Sequence, residues 1–370
     1  WRRTARHLGR NPHLGKMEAF GTYKKDMAPS FDPSFRRPIF DLHTRYKWLP
    51  ANATCELLLL VCASSVNPSD LHPSVATLDH PKAYGSDIAG VVLNMTDPFG
   101  KGSCRRFAPG DRVYGDIGAN THFSGFGEAK TKELGAYAQY AVAFEAQLGH
   151  MPANVGFVEA AAIPKVALTS YKAFKWYAGA PWSRPNVSVL ILGGSGGTGS
   201  TGIQLAKALG AATVTVTTSA KNFHYCRSLG ADHLIDYHSE HWWDVVADGT
   251  VDVVYDTVGE QLTGSRAIHK LRRGGAYVTI TGALAPAGTV PAGVTQSMFI
   301  NSDTNLGSAN LLEELRDLIE KNTLRMRRID SHYGLRKIND AFDRSSSGHV
   351  VGKVSVVVEP PSPSAHLCQA

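Results

Sequence analysis

Seven residues, Gly193-Gly194-Ser195-Gly196-Gly197-Thr198-Gly199, restrict the fold of this 370-residue chain more than any other stretch. An apolar strand pattern at 189–192 leads into them. Helical spacing at 202–209 follows, with Ile203, Ala206 and Leu209 on one side and Gly210 placed as a C-cap. Further strand patterns at 213–217, 233–236, 251–255 and 276–280 are separated by helix-length segments. Alternation of this kind predicts an α/β fold, a parallel, doubly wound sheet.

Within the turn, Gly194, Ser195, Gly196, Gly197, Thr198 and Gly199 fit G-x-G-x-x-G. The first glycine permits the tight turn, the second admits a pyrophosphate to the backbone, and the third brings helix and strand together. Free N–H groups at the helix start favour negative charge there. Glycine-rich loops are common, so the match alone is weak. The strand before, the helix after and the α/β rhythm favour a dinucleotide site over a structural turn.

An NAD site normally places an acid about 20 residues on, at the end of the second strand, to bind the ribose 2′-hydroxyl. This chain has Thr217-Thr218-Ser219-Ala220-Lys221 there and no acid until Asp232. Hydroxyls and an ammonium suit a 2′-phosphate, which a carboxylate repels. The plain alternative is a polar turn with a solvated lysine. The missing acid decides for NADPH.

Upstream, an apolar run at 57–66 ends at Asn67-Pro68-Ser69-Asp70, a buried strand running into a turn. Strand-like pieces at 88–95 and 112–114, punctuated by glycine and proline, predict an irregular β-rich domain. A last strand spans 354–358, and a proline- and serine-rich tail follows.

The chain is 43% hydrophobic and 19% charged, enough apolar material for a sizeable core. Its longest apolar run, 57–63, falls far short of the ~20 residues a membrane helix needs. The net charge of +6 is unevenly spread: residues 1–50 carry +7 and the other 320 carry −1. A nearly neutral body argues against nucleic acid as partner. Five scattered cysteines without a C-x-x-C pair predict neither a disulfide framework nor a four-Cys zinc lobe. Residues 1–37 read as a basic arm, either an irregular surface extension or the remnant of an organellar presequence, since the chain starts at Trp1.

Several segments together resemble the medium-chain dehydrogenase/reductase superfamily, and the chain as a whole its zinc-free branch. They are Ser65-Val66-Asn67-Pro68-Ser69-Asp70, Tyr84-Gly85-Ser86-Asp87-Ile88-Ala89-Gly90, Pro109-Gly110-Asp111-Arg112-Val113-Tyr114-Gly115-Asp116, Glu159-Ala160-Ala161-Ala162-Ile163-Pro164 and the glycine turn. Lys132-Glu133-Leu134-Gly135, Ile235-Asp236-Tyr237 and Val254-Tyr255-Asp256-Thr257-Val258-Gly259 resemble quinone oxidoreductases and alkenal or enone reductases of plastids and mitochondria. The resemblance implies a GroES-like catalytic domain at 38–165 and 328–359 around a Rossmann domain at 166–327. The arm is then 1–37, the flexible tail 360–370, and a substrate cleft lies between the domains.

Zinc enzymes of that superfamily have Cys where Asn67 stands, His where Ser86 stands and Cys near Pro164-Lys165. Those ligands are absent, so no metal is expected. A nicotinamide without a metal reduces acceptors that are already electron-poor, such as quinones and α,β-unsaturated carbonyls. By resemblance Asn67 and Thr169 lie beside the nicotinamide, and Val258, Gly259, Gly282 and Ala283 approach the cofactor through backbone. Thr218, Ser219, Lys221 and Tyr237 then serve the adenosine phosphate. His72 stands where relatives carry Lys; it is either a proton donor or a surface residue. The competing reading is a weak or inactive subunit of a large organellar complex, first of all mitochondrial, held through the arm.

Overall fold

The structure, a computed structural model, describes residues 16–22, 30–36, 55–71, 82–96, 104–118, 135–299 and 308–369. It divides into two compact units. One comprises Trp1–Lys165, Ser302–Glu320 and Ile329–Ala370; the other comprises Val166–Asn301 and Lys321–Arg328.

The first unit is built on strands β1 (Lys16–Thr22), β2 (Ser30–Arg36), β3 (Glu56–Ser65), β4 (Lys82–Ala83), β5 (Asp87–Thr96), β6 (Arg112–Asp116), β7 (Tyr140–Phe144) and β8 (Leu148–His150). Two late strands, β15 (Ile329–Gly334) and β16 (Lys353–Val357), complete it. The main sheet runs β15-β16-β3-β5-β6-β8, with β7 paired to β3, and a smaller sheet runs β2-β1-β4. Strand β3 is apolar on both faces because both are covered. Leu57, Leu59 and Val61 pack with Ile88, Val92, Val113, Val354 and Val356. Leu60 packs on the other side with Met17, Ala19, Ala138 and Tyr140.

That second cover corrects the reading of residues 1–37. Within the expected arm, β1 and β2 form a hairpin. Glu18 exchanges hydrogen bonds with Gln139, its N–H donating to Oε1 and its carbonyl accepting from the Gln139 N–H, each at 3.0 Å. Its carboxylate pairs with Arg336. The described part of the arm is therefore ordered by its own body; residues 1–15 lie outside the described residues.

Three further expectations change. Cysteines do pair, Cys55 with Cys104 and Cys62 with Cys368, and buried Cys226 stays free. Their partners lie 49 and 306 residues apart, a relation that spacing alone does not carry. The expected tail 360–370 is tied down through Cys368, and Leu367 packs on the Met17–Leu60 cluster. The helix Ser308–Glu320, expected within the Rossmann segment, belongs to the first unit. The buried Tyr114 hydroxyl donates to the Leu312 carbonyl at 2.7 Å, and the Asn154 amide donates to that of Ile319 at 2.9 Å. Glu313 accepts from Arg106 and from the His150 N–H.

The second unit carries β9 (Ser188–Leu192), β10 (Thr213–Thr218), β11 (His233–Asp236), β12 (Val251–Asp256), β13 (Leu271–Thr279) and β14 (Thr295–Met298). They form one sheet in the order β11-β10-β9-β12-β13-β14. Every pairing in it is parallel. Counted within the unit, the order is 3-2-1-4-5-6, the arrangement of the Rossmann fold, whose ligands bind outside the strand C-termini where the order reverses.

Candidate nucleotide-binding site

Strand register brings the chemistry to one edge of that sheet. Leu192 pairs with Thr217 and with Asp256, Thr218 pairs with Asp236, and Asp256 pairs with Thr279. The glycine turn, the turn after Thr218, Tyr237, and the turns carrying Val258, Gly259, Gly282 and Ala283 therefore all leave the sheet at the same edge.

The glycine turn is held from below. The Gly193 N–H donates to Thr217 Oγ1 at 3.0 Å, and the Gly194 N–H donates to the Thr217 carbonyl at 2.9 Å. The helix that follows spans Gly197–Ala208, beginning inside the turn rather than at 202. Gly199 allows this start, because a Cβ there would lie 2.1 Å from the Gly193 carbonyl oxygen. At Gly196 a Cβ would meet nothing closer than 3.7 Å. Gly196 thus leaves free, in the protein itself, the space its sequence position assigns to a pyrophosphate.

Beyond β10, Ser219 precedes a single turn of helix, Ala220–Asn222, on which Lys221 is exposed. Asn222, which sequence reasoning missed, donates its side-chain amide to Ser195 Oγ at 3.2 Å and to Ser219 Oγ at 3.0 Å. It links the glycine turn to the phosphate candidates. Asparagine three residues after a serine at a strand end is an ordinary turn signal and marks no such role in sequence. Tyr237 is about half exposed and lies against His238. Thr218 differs from expectation. It is buried in the strand beside the Cys226 thiol, and Ser219 is buried as well, so Lys221 and Tyr237 are the exposed members of the set.

In the first unit, the positions where zinc enzymes hold their ligands carry a buried polar network. The Asn67 amide donates to Asp87 Oδ2 at 2.7 Å and to Ser86 Oγ at 3.3 Å, and its Oδ1 accepts from the Lys353 ammonium at 2.6 Å. Asp87 also accepts from Ser65 Oγ and from the Lys165 N–H, each at 2.7 Å. Asp70 accepts from the Ser86 and Tyr137 hydroxyls at 2.8 Å. Burial pushes the Asp70 carboxyl above its usual range, against the pull of Lys165. Burial likewise holds the Lys353 ammonium below its usual value, with Asp87 opposing. Burial works against the Lys165 charge too, but Asp116, Asp70 and Asp87 outweigh it and raise the group.

Amide, hydroxyl and ammonium groups thus stand where thiolate and imidazole would be, and ammonium cannot ligate a cation. Among the described residues no group of three His, Cys, Asp or Glu side chains is placed to hold a metal ion. Thr169 is buried on the helix Pro164–Lys172. His72 lies outside the described residues.

Comparison with known proteins agrees with this architecture. The alcohol dehydrogenase GroES-like domain profile matches residues 53–153, and a zinc-binding dehydrogenase profile matches 229–356. A 2-methylene-furan-3-one reductase from Solanum lycopersicum is 31% identical over 309 residues, covering 81% of this chain and 71% of that one. The chain belongs to the medium-chain dehydrogenase/reductase family, in its quinone and alkenal reductase branch. An NADPH-dependent alkenal/one oxidoreductase, chloroplastic, from Arabidopsis thaliana is 29% identical over 312 residues, covering 81% and 72%. The solved quinone oxidoreductase of Coxiella burnetii has the same fold, with a TM-score of 0.70 over 93% of this chain and 99% of that one at 24% identity. The word zinc in one profile name describes that profile; the ligand positions here carry other chemistry.

Proposed function

We propose that this chain is an NADPH-dependent reductase that delivers hydride to a quinone or an α,β-unsaturated carbonyl without a metal. The observation that carries the cofactor choice is the end of β10. No carboxylate stands there, and Ser219 and Lys221 follow Thr218 beside the Asn222 link to Ser195. A 2′-phosphate is an anion that this set of donors favours and an aspartate would repel. Gly196 and the first N–H groups of the helix Gly197–Ala208 would hold the pyrophosphate.

When bound, NADPH supplies a hydride. The acceptor must then be electron-poor by its own structure, because Asn67, Ser86 and Lys165 offer no Lewis acid. The relatives named as alkenal/one and furanone reductases act on such compounds by name. The basic first residues and a relative named chloroplastic also fit work inside an organelle.

The test is cofactor discrimination by Lys221→Ala. A charge-assisted hydrogen bond of ~1.5–3 kcal/mol predicts roughly a 10- to 150-fold loss of NADPH affinity. NADH, which lacks the phosphate, should hardly change. Equal losses for both would overturn the assignment of Lys221. NADPH oxidation with a panel of quinones and enones then names the acceptor class.

A further inference from the structure

We propose that Asp256 is a positioning residue that fixes, through one buried carboxylate, the two backbone turns serving the nicotinamide half of the cofactor. This rests on the NADPH reading above.

Asp256 ends β12 and is fully buried. A buried carboxylate costs several kcal/mol unless its oxygens are satisfied. Here Oδ1 accepts from the N–H groups of Val258 and Gly259, each at 2.9 Å. Oδ2 accepts from the Tyr277 hydroxyl at 2.9 Å, from Thr279 Oγ1 at 3.3 Å and from Thr281 Oγ1 at 3.4 Å. Tyr277 also lies 2.9 Å from the Ala283 carbonyl oxygen. One carboxylate therefore ties the turn after β12 to the turn after β13.

The two turns also touch directly. Gly259 has φ +78°, and a Cβ on it would lie 2.6 Å from Thr281 Cβ. Gly282 has φ +88°. Glycine reaches such backbone without strain and leaves it as easily, so the surroundings must determine its shape. The Asp256 acceptors supply that determination from beneath, while the Val258 side chain on the far side stays half exposed.

Sheet order assigns these turns their half of the ligand. A dinucleotide crosses a 3-2-1-4-5-6 sheet with one mononucleotide on each side of the reversal. The adenosine side is β9, β10 and β11, where Ser195, Ser219 and Lys221 lie. The ends of β12 and β13 are left for nicotinamide. Tyr277 has one hydroxyl hydrogen and two acceptors at equal distance. Burial, followed by the Asp256 charge, keeps that phenol protonated far above its usual range. It relays the Asp256 constraint to the Ala283 carbonyl.

The experiment compares NADPH with 2′,5′-ADP, which has the phosphate half and no nicotinamide, by direct binding to the full chain. Asp256→Asn keeps the shape but turns an amide N–H₂ toward existing donors. It should weaken NADPH roughly tenfold or more, the equivalent of ~1.4 kcal/mol, and leave 2′,5′-ADP within about twofold. Tyr277→Phe, which removes only the tie to Ala283 and one donor, should show the same selectivity with a smaller loss. It decides the matter if Asp256→Asn does not fold. Equal weakening of both ligands, or of neither, overturns the positioning role. Wild-type protein that binds neither ligand overturns the NADPH reading itself and the proposal with it.

Discussion

The Lys353 ammonium sits 2.6 Å from Asn67 Oδ1, 2.9 Å from the Val66 carbonyl and 3.4 Å from Asp87 Oδ2, fully enclosed in the first unit. It is the cation around which the turn Asn67-Pro68-Ser69-Asp70 is organised. Asn67 spends its amide inside this network and so helps to hold the turn. Lys353→Met leaves Lys165 as the remaining cation near Asp87 but takes the donor from Asn67 Oδ1 and the Val66 carbonyl, and should cost ~1–3 kcal/mol in urea unfolding. Adding Asp87→Asn should restore part of it. A loss under ~1 kcal/mol would show the ion pair to be dispensable.

Asn222 offers a contrast to Lys221 one residue earlier. It touches Ser195 and Ser219, so its removal loosens the glycine turn as well as one phosphate candidate. Two hydrogen bonds at ~0.5–1.5 kcal/mol each predict a roughly 5- to 150-fold loss of dinucleotide affinity in Asn222→Ala. Both NADPH and NADH should lose affinity, NADPH more, because Ser219 serves only its 2′-phosphate. A loss confined to NADPH would place the amide on the 2′-phosphate instead.

How much of this was legible in sequence depends on how local each signal is. The glycine turn and the sheet around it could be read because strand, turn and helix signals lie within some thirty residues. The parallel pairing of the nucleotide-binding strands follows from the same alternation, whereas their order does not, since doubly wound sheets adopt more than one. The β1–β2 hairpin was missed because Met17 and Ala19 alternate with Glu18 over only a few residues. Its signal lay elsewhere, in β3, whose unbroken apolar run requires cover on both faces. The Lys353 network was invisible for a different reason. Its members are separated by up to 287 residues, and a lysine in a strand reads as exposed until the fold buries it.

The cysteine pairing can be counted directly. Without reductant, a thiol reagent should find no reactive group in the native protein, because Cys226 is buried, and one in denaturant. Full reduction should release four more. Cys368→Ser should cost ~2–5 kcal/mol, since it opens a loop of most of the chain. Five thiols in unreduced, denatured protein would refute the pairing.

Cys226 also sets an alkaline limit. Burial pushes its thiol from 9.0 to about 11, against a hydrogen bond from Thr218. Between those values the folded state holds a proton that the unfolded state has lost. Stability from this group is therefore complete below pH 9 and falls as pH rises toward 11. Cys226→Ala should flatten the fall in unfolding free energy across that window. An unchanged slope would assign the alkaline loss to other groups.

Two glycines of the turn, Gly199 and Gly196, separate folding from binding. Gly199→Ala drives a Cβ to 2.1 Å from the Gly193 carbonyl oxygen and 2.8 Å from Gly194 Cα, both backbone atoms. The helix must move away from the strand, at ~1–3 kcal/mol of stability. Gly196→Ala meets nothing closer than 3.7 Å, and Gly196 has an ordinary φ of −71°. The fold should tolerate that methyl and even gain ~0.4–1 kcal/mol from a less flexible unfolded chain. Yet the methyl fills the space where a pyrophosphate would approach. NADPH affinity should fall roughly tenfold or more, ~1.4 kcal/mol or above, in a variant as stable as its parent. Fluorescence titration of NADPH alongside urea unfolding reads both quantities. Unimpaired NADPH binding by Gly196→Ala would mean that the phosphates do not cross this turn.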